Sequence, residues 1–330
     1  MISRVADSIY WMNRYLERAE NIARFIDVNL HLILDLGFEA VEHQWQTLVT
    51  TSGDDKDFSK RYNDFTENNV INFLTFDEEN PNSILSCVRA ARQNAKSIRD
   101  TISSEMWEQV NRFYLLTQKY SRMKEIINLQ AFFHEIKQAN HLFIGLSDTT
   151  MSHGQAWHFA RMGRILERAD KTARILDVKY FLLLPSAEFV NSSYDAVQWA
   201  ALLKSTSAFE MYRKKFHAIN YKDVADFLIY DTEFPRSLSY CLLTTLKSMR
   251  AIVGYTKTEC AALTELDSFY KELKNCEIET ILRDGLHEFI DRFQQNLNHI
   301  DQEIRTSFIE MKLPTTSAGN KQVGSQLLSQ

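Results

Sequence analysis

The sequence predicts an all-α fold, an internally duplicated helical bundle with a pseudo-twofold arrangement. Three observations carry that expectation. Met12–Val28 (MNRYLERAENIARFIDV) and Met162–Val178 (MGRILERADKTARILDV) agree at ten of seventeen positions, without a gap, at an offset of 150 residues. Such self-similarity is the mark of a repeated structural unit. The echo then continues in the same order at an offset of 154: Gln44-Trp45-x-x-Leu48 returns as Gln198-Trp199-x-x-Leu202, and Val70–Cys87 faces Val224–Cys241. Finally, 330 residues contain only nine Gly and four Pro, and the abundant Leu, Ile, Ala, Glu, Lys and Arg favour helix over strand.

Apolar periodicity places helices over about 3–36, 39–51, 56–74, 83–117 and 119–147 in the first half. In the second half it places them over about 153–183, 194–208, 220–229, 235–263, 265–275 and 277–311. Pro81 and Pro235 stand just before or inside a first helical turn, where a missing N–H costs least, and Asn82 or Ser83 is the cap that follows. Asp54-Asp55-Lys56-Asp57 reads as a polar connection. The shift in offset needs a net insertion of four residues between Val178 and Gln198, where Pro185 and Asn191-Ser192-Ser193 read as a loop. Past Cys241 the echo fades, with Gln138 and Gln295 a remaining match. The expected organisation is a first helical repeat over residues 1–150 and a second over 151–313, packed on the first as one globular unit. Residues 314–330 are poor in core side chains and are expected to be a flexible tail.

Composition bounds the function. A net charge of −5 argues against a non-specific nucleic-acid binder, which shows a basic face. Cys87, Cys241, Cys260 and Cys276 have no C-x-x-C spacing and read as apolar thiols of a reduced compartment. The N-terminus begins with a charged amphipathic helix rather than a signal peptide. The apolar run Tyr180–Leu184 is far too short to span a bilayer. A cytoplasmic protein without membrane attachment is expected. No phosphate loop, dinucleotide-binding glycine motif or nucleophile elbow occurs, so no cofactor is expected. His134 and His141 share a helix face without the Glu-x-x-His of a di-iron bundle, and His153 and His158 are misspaced for a helical pair; no metal site is expected.

At about 100° per residue, Met12, Tyr15, Leu16, Ala19, Ile22, Ala23 and Ile26 form one stripe of the repeated helix. Arg14, Glu17, Arg18, Asn21 and Arg24 form the opposite one, flanked by Glu20 and Asp27. Five of the six charged positions are identical in the second copy (Arg164, Glu167, Arg168, Arg174, Asp177) and the sixth is Glu20 against Asp170, whereas only four of the seven apolar ones are identical. A freely solvated face drifts faster than a packed one, so something holds these charges. Three readings are open. A charge network between helices would include the i, i+4 pairs Glu20–Arg24 and Asp170–Arg174. An anion or substrate site could gather Arg14, Arg18, Arg164 and Arg168, whose guanidinium forks suit carboxylate or phosphate. A catalytic site would use Glu17 or Glu167 as general base, although neighbouring arginines depress a glutamate pKa.

Two further sites complete the candidates. Arg89 and Arg92, with Trp107 beyond them, form a basic stripe that could wall the same cavity, and Leu243 and Leu246 replace both arginines in the second copy. Arg236, at a helix start, could face an anion.

The helix RYLERAENIAR, with its second copy RILERADKTAR, resembles the bacterial alpha-E domain family, named for its helices and Glu-Arg motif. The stretches Leu74–Asn111 and Phe234–Leu242 resemble the family's other recognisable block, and the likeness runs from Met1 to about Leu313. The resemblance implies an all-helical protein that works beside an ATP-grasp ligase-like protein and a transglutaminase-like protease. It further implies a role in making, modifying or trimming a peptide or amide-linked product. It transfers no catalytic residue. The expected function is therefore a non-catalytic partner or substrate-handling component of such a system. The alternatives are an enzyme acting on a peptide or amide through the Glu/Arg cavity and a structural oligomerisation protein.

Overall fold

The N-terminal amphipathic run forms α1 (Ser3–Leu36), followed by α2 (Val41–Ser52), α3 (Asp55–Ser59), α4 (Glu67–Thr75), α5 (Ile84–Ser97), α6 (Ser104–Ser121) and α7 (Leu129–Thr150). Then come α8 (Gln155–Leu182), α9 (Ser193–Ser205), α10 (Phe209–Lys215), α11 (Tyr221–Tyr230), α12 (Leu238–Thr256), α13 (Ala261–Asn275), α14 (Ile278–Asp284) and α15 (Leu286–Phe308). The computed structural model describes residues 3–36, 41–123, 128–182, 193–256 and 260–309, and no strand occurs among them. None of these helices is long and apolar enough to cross a membrane. The loop expected at Pro185 and Asn191-Ser192 and the tail expected at 314–330 lie outside the described residues.

Several expected helices are divided, each for a local reason. The helix expected over 83–117 breaks after Ser97, and Ser103 starts a new one by accepting the Met106 N–H at 3.1 Å. Such a cap satisfies an otherwise orphaned amide. The next helix starts later than expected, at Leu129, where the Asn128 side chain accepts from Ala131 N at 2.9 Å. Between α14 and α15 stands Gly285 at φ 111°, a left-handed conformation that interrupts the helix expected over 277–311. A short α10 occupies residues expected to be loop. Ser83, not Asn82, caps α5 by accepting from Ser86 N at 3.2 Å, and Ser237 accepts from Tyr240 N at 3.1 Å in the matching position.

Two long helices organise the molecule. α1 packs along α8, and is otherwise flanked by α5 and α7; α8 is flanked by α12 and α15. α6 rests on α5 and α7, while α13 rests on α12 and α15. The core runs through Met12, Leu16, Met162 and Leu166, and Ala19, Ala23, Ala169 and Ala173 are fully buried within it. Small residues let helices approach closely. Gly163 marks a close approach of α8 to α1: a Cβ there would press into the Tyr10 carbonyl oxygen.

Candidate functional site

The charged stripes of α1 and α8 do not face solvent. Glu17, Glu20 and Glu167 are 0% exposed. Arg18 donates to Glu167 through Nε (2.6 Å to Oε1) and Nη2 (3.0 Å to Oε2). Arg168 donates to Glu17 in the same way, at 2.6 Å and 3.1 Å. Each Glu-Arg dipeptide thus supplies the partner of the other, forming two crossed bidentate forks between helices 150 residues apart in sequence. Planar guanidinium matches carboxylate geometry in this mode, and the fork holds orientation as well as charge. Arg14 adds a third donor to Glu167, at 2.9 Å.

A second layer of cations completes each carboxylate cluster, by different routes. On the α1 side Arg236, from the turn before α12, donates to Glu20 Oε2 and to Asn21 Oδ1, both at 2.8 Å. On the α8 side the cation comes from the helix itself: Lys171, in the place of Asn21, lies 3.3 Å from Asp170 and 3.8 Å from Glu167. There the turn residue is Asn82, which accepts from Arg18 at 2.6 Å and donates to Asp54 at 2.7 Å. Where the α1 side has Asn21 and Arg236, the α8 side has Lys171 and Asn82, so the cation comes from a different element on each side. Arg24 pairs with Glu20 and reaches the Ser207 hydroxyl, and Arg174 pairs with Asp170 at 3.0 Å. Ser207 (φ 54°) and Gly53 (φ 83°) both hold left-handed turns beside these arginines, and a Cβ on Gly53 would meet Arg174 Nη1 at 2.7 Å.

The electrostatics follow from burial opposed by ion pairing. Desolvation alone pushes the Glu17 carboxyl up, but Arg168 and Arg236 reverse it and hold the group below the usual glutamate range. Burial acts on Glu167 likewise and is overcome by Arg18, Arg14 and Lys171; on Glu20 it is overcome by Arg236 and Arg24. Carboxylates so held are permanently ionised at neutral pH and make poor general bases. Beside the forks, the Cys87 and Cys241 thiols are pushed up to about 12 by burial, so they are not nucleophiles.

The remaining candidates separate. Arg14 is also closed by Asp301 at 2.5 Å, an acid that the Tyr10 hydroxyl bonds as well. Its counterpart Arg164 has no such closure: its buried Nε lacks any hydrogen-bond partner. Arg89 pairs with Glu78 at the surface, at 2.6 Å. Arg92 donates to Asn111 at 2.8 Å and lies over the Trp107 and Tyr114 rings, so the basic stripe of α5 turns to α6 rather than to the Glu-Arg helices. Arg236 is a member of the carboxylate network. Glu265, His299 and Glu303 could together hold a divalent cation, their ligand atoms lying within 4.8 Å of one another; His299 Nε2 is 2.8 Å from Glu265. Sequence reasoning missed Lys171, Asn82 and Asp301. The swap of Asn21/Arg236 against Lys171/Asn82 can be read from the sequence when the two similar segments are set side by side.

Residues 1–309 match the model of the Alpha-E family, described as a predicted alpha-helical domain with a conserved ER motif. This chain is a member of the Alpha-E family. Its two ER dipeptides, Glu17-Arg18 and Glu167-Arg168, are the crossed forks. The Alpha-E chain is also similar to proteins of Mycobacterium bovis and Mycobacterium tuberculosis described as uncharacterized. Each is 22% identical over an alignment 310 residues long that covers 86% of this chain and 34% of the relative. The chain therefore spans about a third of the length of the curated relatives it matches. No solved structure matches it.

Proposed function

We propose that this Alpha-E chain is a duplicated helical scaffold serving as a non-catalytic partner or substrate-handling component of an ATP-grasp ligase-like system that makes or modifies peptide or amide bonds. The observation that carries the non-catalytic part is the crossed pairing: Glu17 and Glu167, the residues best placed in sequence to act as bases, are fully buried and each is held by an arginine fork. Their conservation between the halves then reflects assembly of the two halves. The duplication itself is supported by parallel packing: α1 with α5 and α7, α8 with α12 and α15. It is supported again by the turn from Thr150 to Gln155, which falls at the expected division between repeats at residues 150 and 151.

Participation in a larger assembly is supported by the relatives, whose matched region occupies only 34% of their length. The ligase-like and transglutaminase-like partners remain those implied by the family resemblance. Affinity purification of the full chain from its native cell tests the reading. An ATP-grasp protein should co-purify in near-equal amount and survive gel filtration. Recovery of the chain alone, in repeated experiments without cross-linker and with it, would remove the partner reading. Turnover of a peptide or amide by the purified chain, lost in Glu17→Gln/Glu167→Gln at a temperature where that variant is still folded, would replace it with an enzyme.

A further inference from the structure

Arg164 occupies the place on α8 that Arg14 holds on α1, yet the two guanidinium groups have opposite fates. Arg14 is closed by Glu167 and Asp301, and Tyr10 bonds the same Asp301. At Arg164 the echo puts Ala160 where Tyr10 stands, and no described residue forms a hydrogen bond or ion pair with the guanidinium. The residue is only 9% exposed, and its Nε is sealed from solvent without a partner. Burial, with Arg168 nearby, brings its pKa down to about 10, against the opposing pull of Glu17 and Asp148. A largely buried cation with acids nearby but no hydrogen bond or ion pair to any of them is an expensive arrangement that folded proteins rarely keep.

This guanidinium lines a half-open cavity of about 200 Å³, together with Asp148, Trp157, Arg161, Arg168 and Tyr240. The walls are built. Trp157 Nε1 donates to Asp148 at 3.2 Å, the Arg161 guanidinium lies 5.1 Å from the Trp157 ring centre, and Arg168 is held by Glu17. Charge counting selects the occupant. Arg168 is neutralised by Glu17, so Arg161 and Arg164 face the single acid Asp148 and leave one positive charge over. A monoanion restores balance, whereas a phosphate ester dianion would overshoot.

We propose that this cavity binds the carboxylate end of an organic molecule, with Arg164 as the anchoring fork, Arg161 as a second cation at the rim, and Trp157 and Tyr240 against the adjoining carbons. The asymmetry is the point of the arrangement. In a scaffold with two similar halves, one arginine is closed internally by Asp301 and the other is left open for a ligand. A free organic acid and the C-terminus of a peptide offer the same group. The site stands on its own geometry, whether or not the partner system proposed above is correct.

The test uses the full chain at fixed ionic strength. Sodium hexanoate, hexanamide, a short apolar peptide with a free or amidated C-terminus, and inorganic phosphate are each titrated, with thermal melting and calorimetry as readouts. Hexanoate should bind and raise the melting temperature, while hexanamide should do neither. Binding of the free-acid peptide but not its amide would extend the site to peptide C-termini; hexanoate alone would assign it to small acids. Loss of a charge-assisted fork should weaken carboxylate binding roughly tenfold to a hundredfold in Arg164→Met. That variant should also melt higher than the parent without ligand, because the unpaired buried charge is gone. Arg161→Gln, at a more accessible position, should fold normally and weaken binding to a lesser extent. Absence of carboxylate binding by the parent, equal binding of the amides, preference for phosphate, or undiminished affinity in both variants would each overturn the proposal.

Discussion

Arg168 of α8 closes on Glu17 of α1 with two donors, Nε at 2.6 Å and Nη2 at 3.1 Å, and Arg18 returns the same fork to Glu167. Deleting one member of such a buried pair leaves the other charged and unpartnered, which costs roughly 3–5 kcal/mol. Glu17→Gln and Glu167→Gln are each expected to lose stability on that scale in urea titrations at neutral pH. A loss below about 1 kcal/mol, the range of surface ion pairs, would show that the forks do not hold the helices together.

Acid should act through the same residues. Glu17, Glu20 and Glu167 have folded-state pKa values below the ordinary glutamate value. A depressed carboxylate contributes stability that is fully present above its unfolded pKa, about 4.3 for glutamate. That contribution is lost as pH falls toward the folded value. Melting temperature should therefore fall steeply below about pH 4.3, and Glu17→Gln/Glu167→Gln should flatten that part of the profile. An unchanged slope in the double variant would place the acid sensitivity elsewhere.

The differently placed cations of the two sides make a sharper experiment. Arg236→Asn removes the guanidinium that donates to Glu20 and Asn21 and should destabilise the chain by roughly 3 kcal/mol or more, as for a broken buried pair. Adding Asn21→Lys gives α1 the arrangement that Lys171 and Asn82 have on the α8 side, and should recover at least half of the loss. A double-mutant cycle measures this coupling directly. Simple additivity of the two substitutions would mean that the cations are not interchangeable.

Gly163 provides a packing test independent of charge. A methyl group there would press on the Tyr10 carbonyl oxygen, a backbone atom that cannot rotate away. Gly163→Ala should cost about 1–3 kcal/mol through overpacking, despite the better helix propensity of alanine. A neutral or stabilising result in equilibrium unfolding would show that α1 and α8 can separate there without loss.

The fold was largely legible in the residues. Periodicity and the echo of Met12–Val28 in Met162–Val178 locate the two long helices, because a helix writes its burial into the spacing of its side chains. The helix ends were less legible. Ser103 and Asn128 start helices where apolar residues stand close on either side (Ile102 and Met106, Ile127 and Leu129), so a count of spacing runs across the caps. The site was legible as a set of residue types and not as an arrangement. Arg14, Glu17 and Arg18 looked like one polar face, and a fully buried polar face has the same wheel as a solvated one.

Sequence alone determined that the chain is helical, that Glu17-Arg18 is echoed by Glu167-Arg168, and that the two segments agree better at their charged positions than at their apolar ones. These are properties of single segments and of their likeness to each other. Only the tertiary structure decided that each glutamate is held by the other segment's arginine, that Arg236 and Lys171 do the same task from different elements, and that Arg164, unlike Arg14, Arg18 and Arg168, has no hydrogen bond or ion pair among the described residues. Those outcomes depend on which helix faces meet and on how deeply they are desolvated. Both are set by packing between residues 150 positions apart, where no local spacing records the distance.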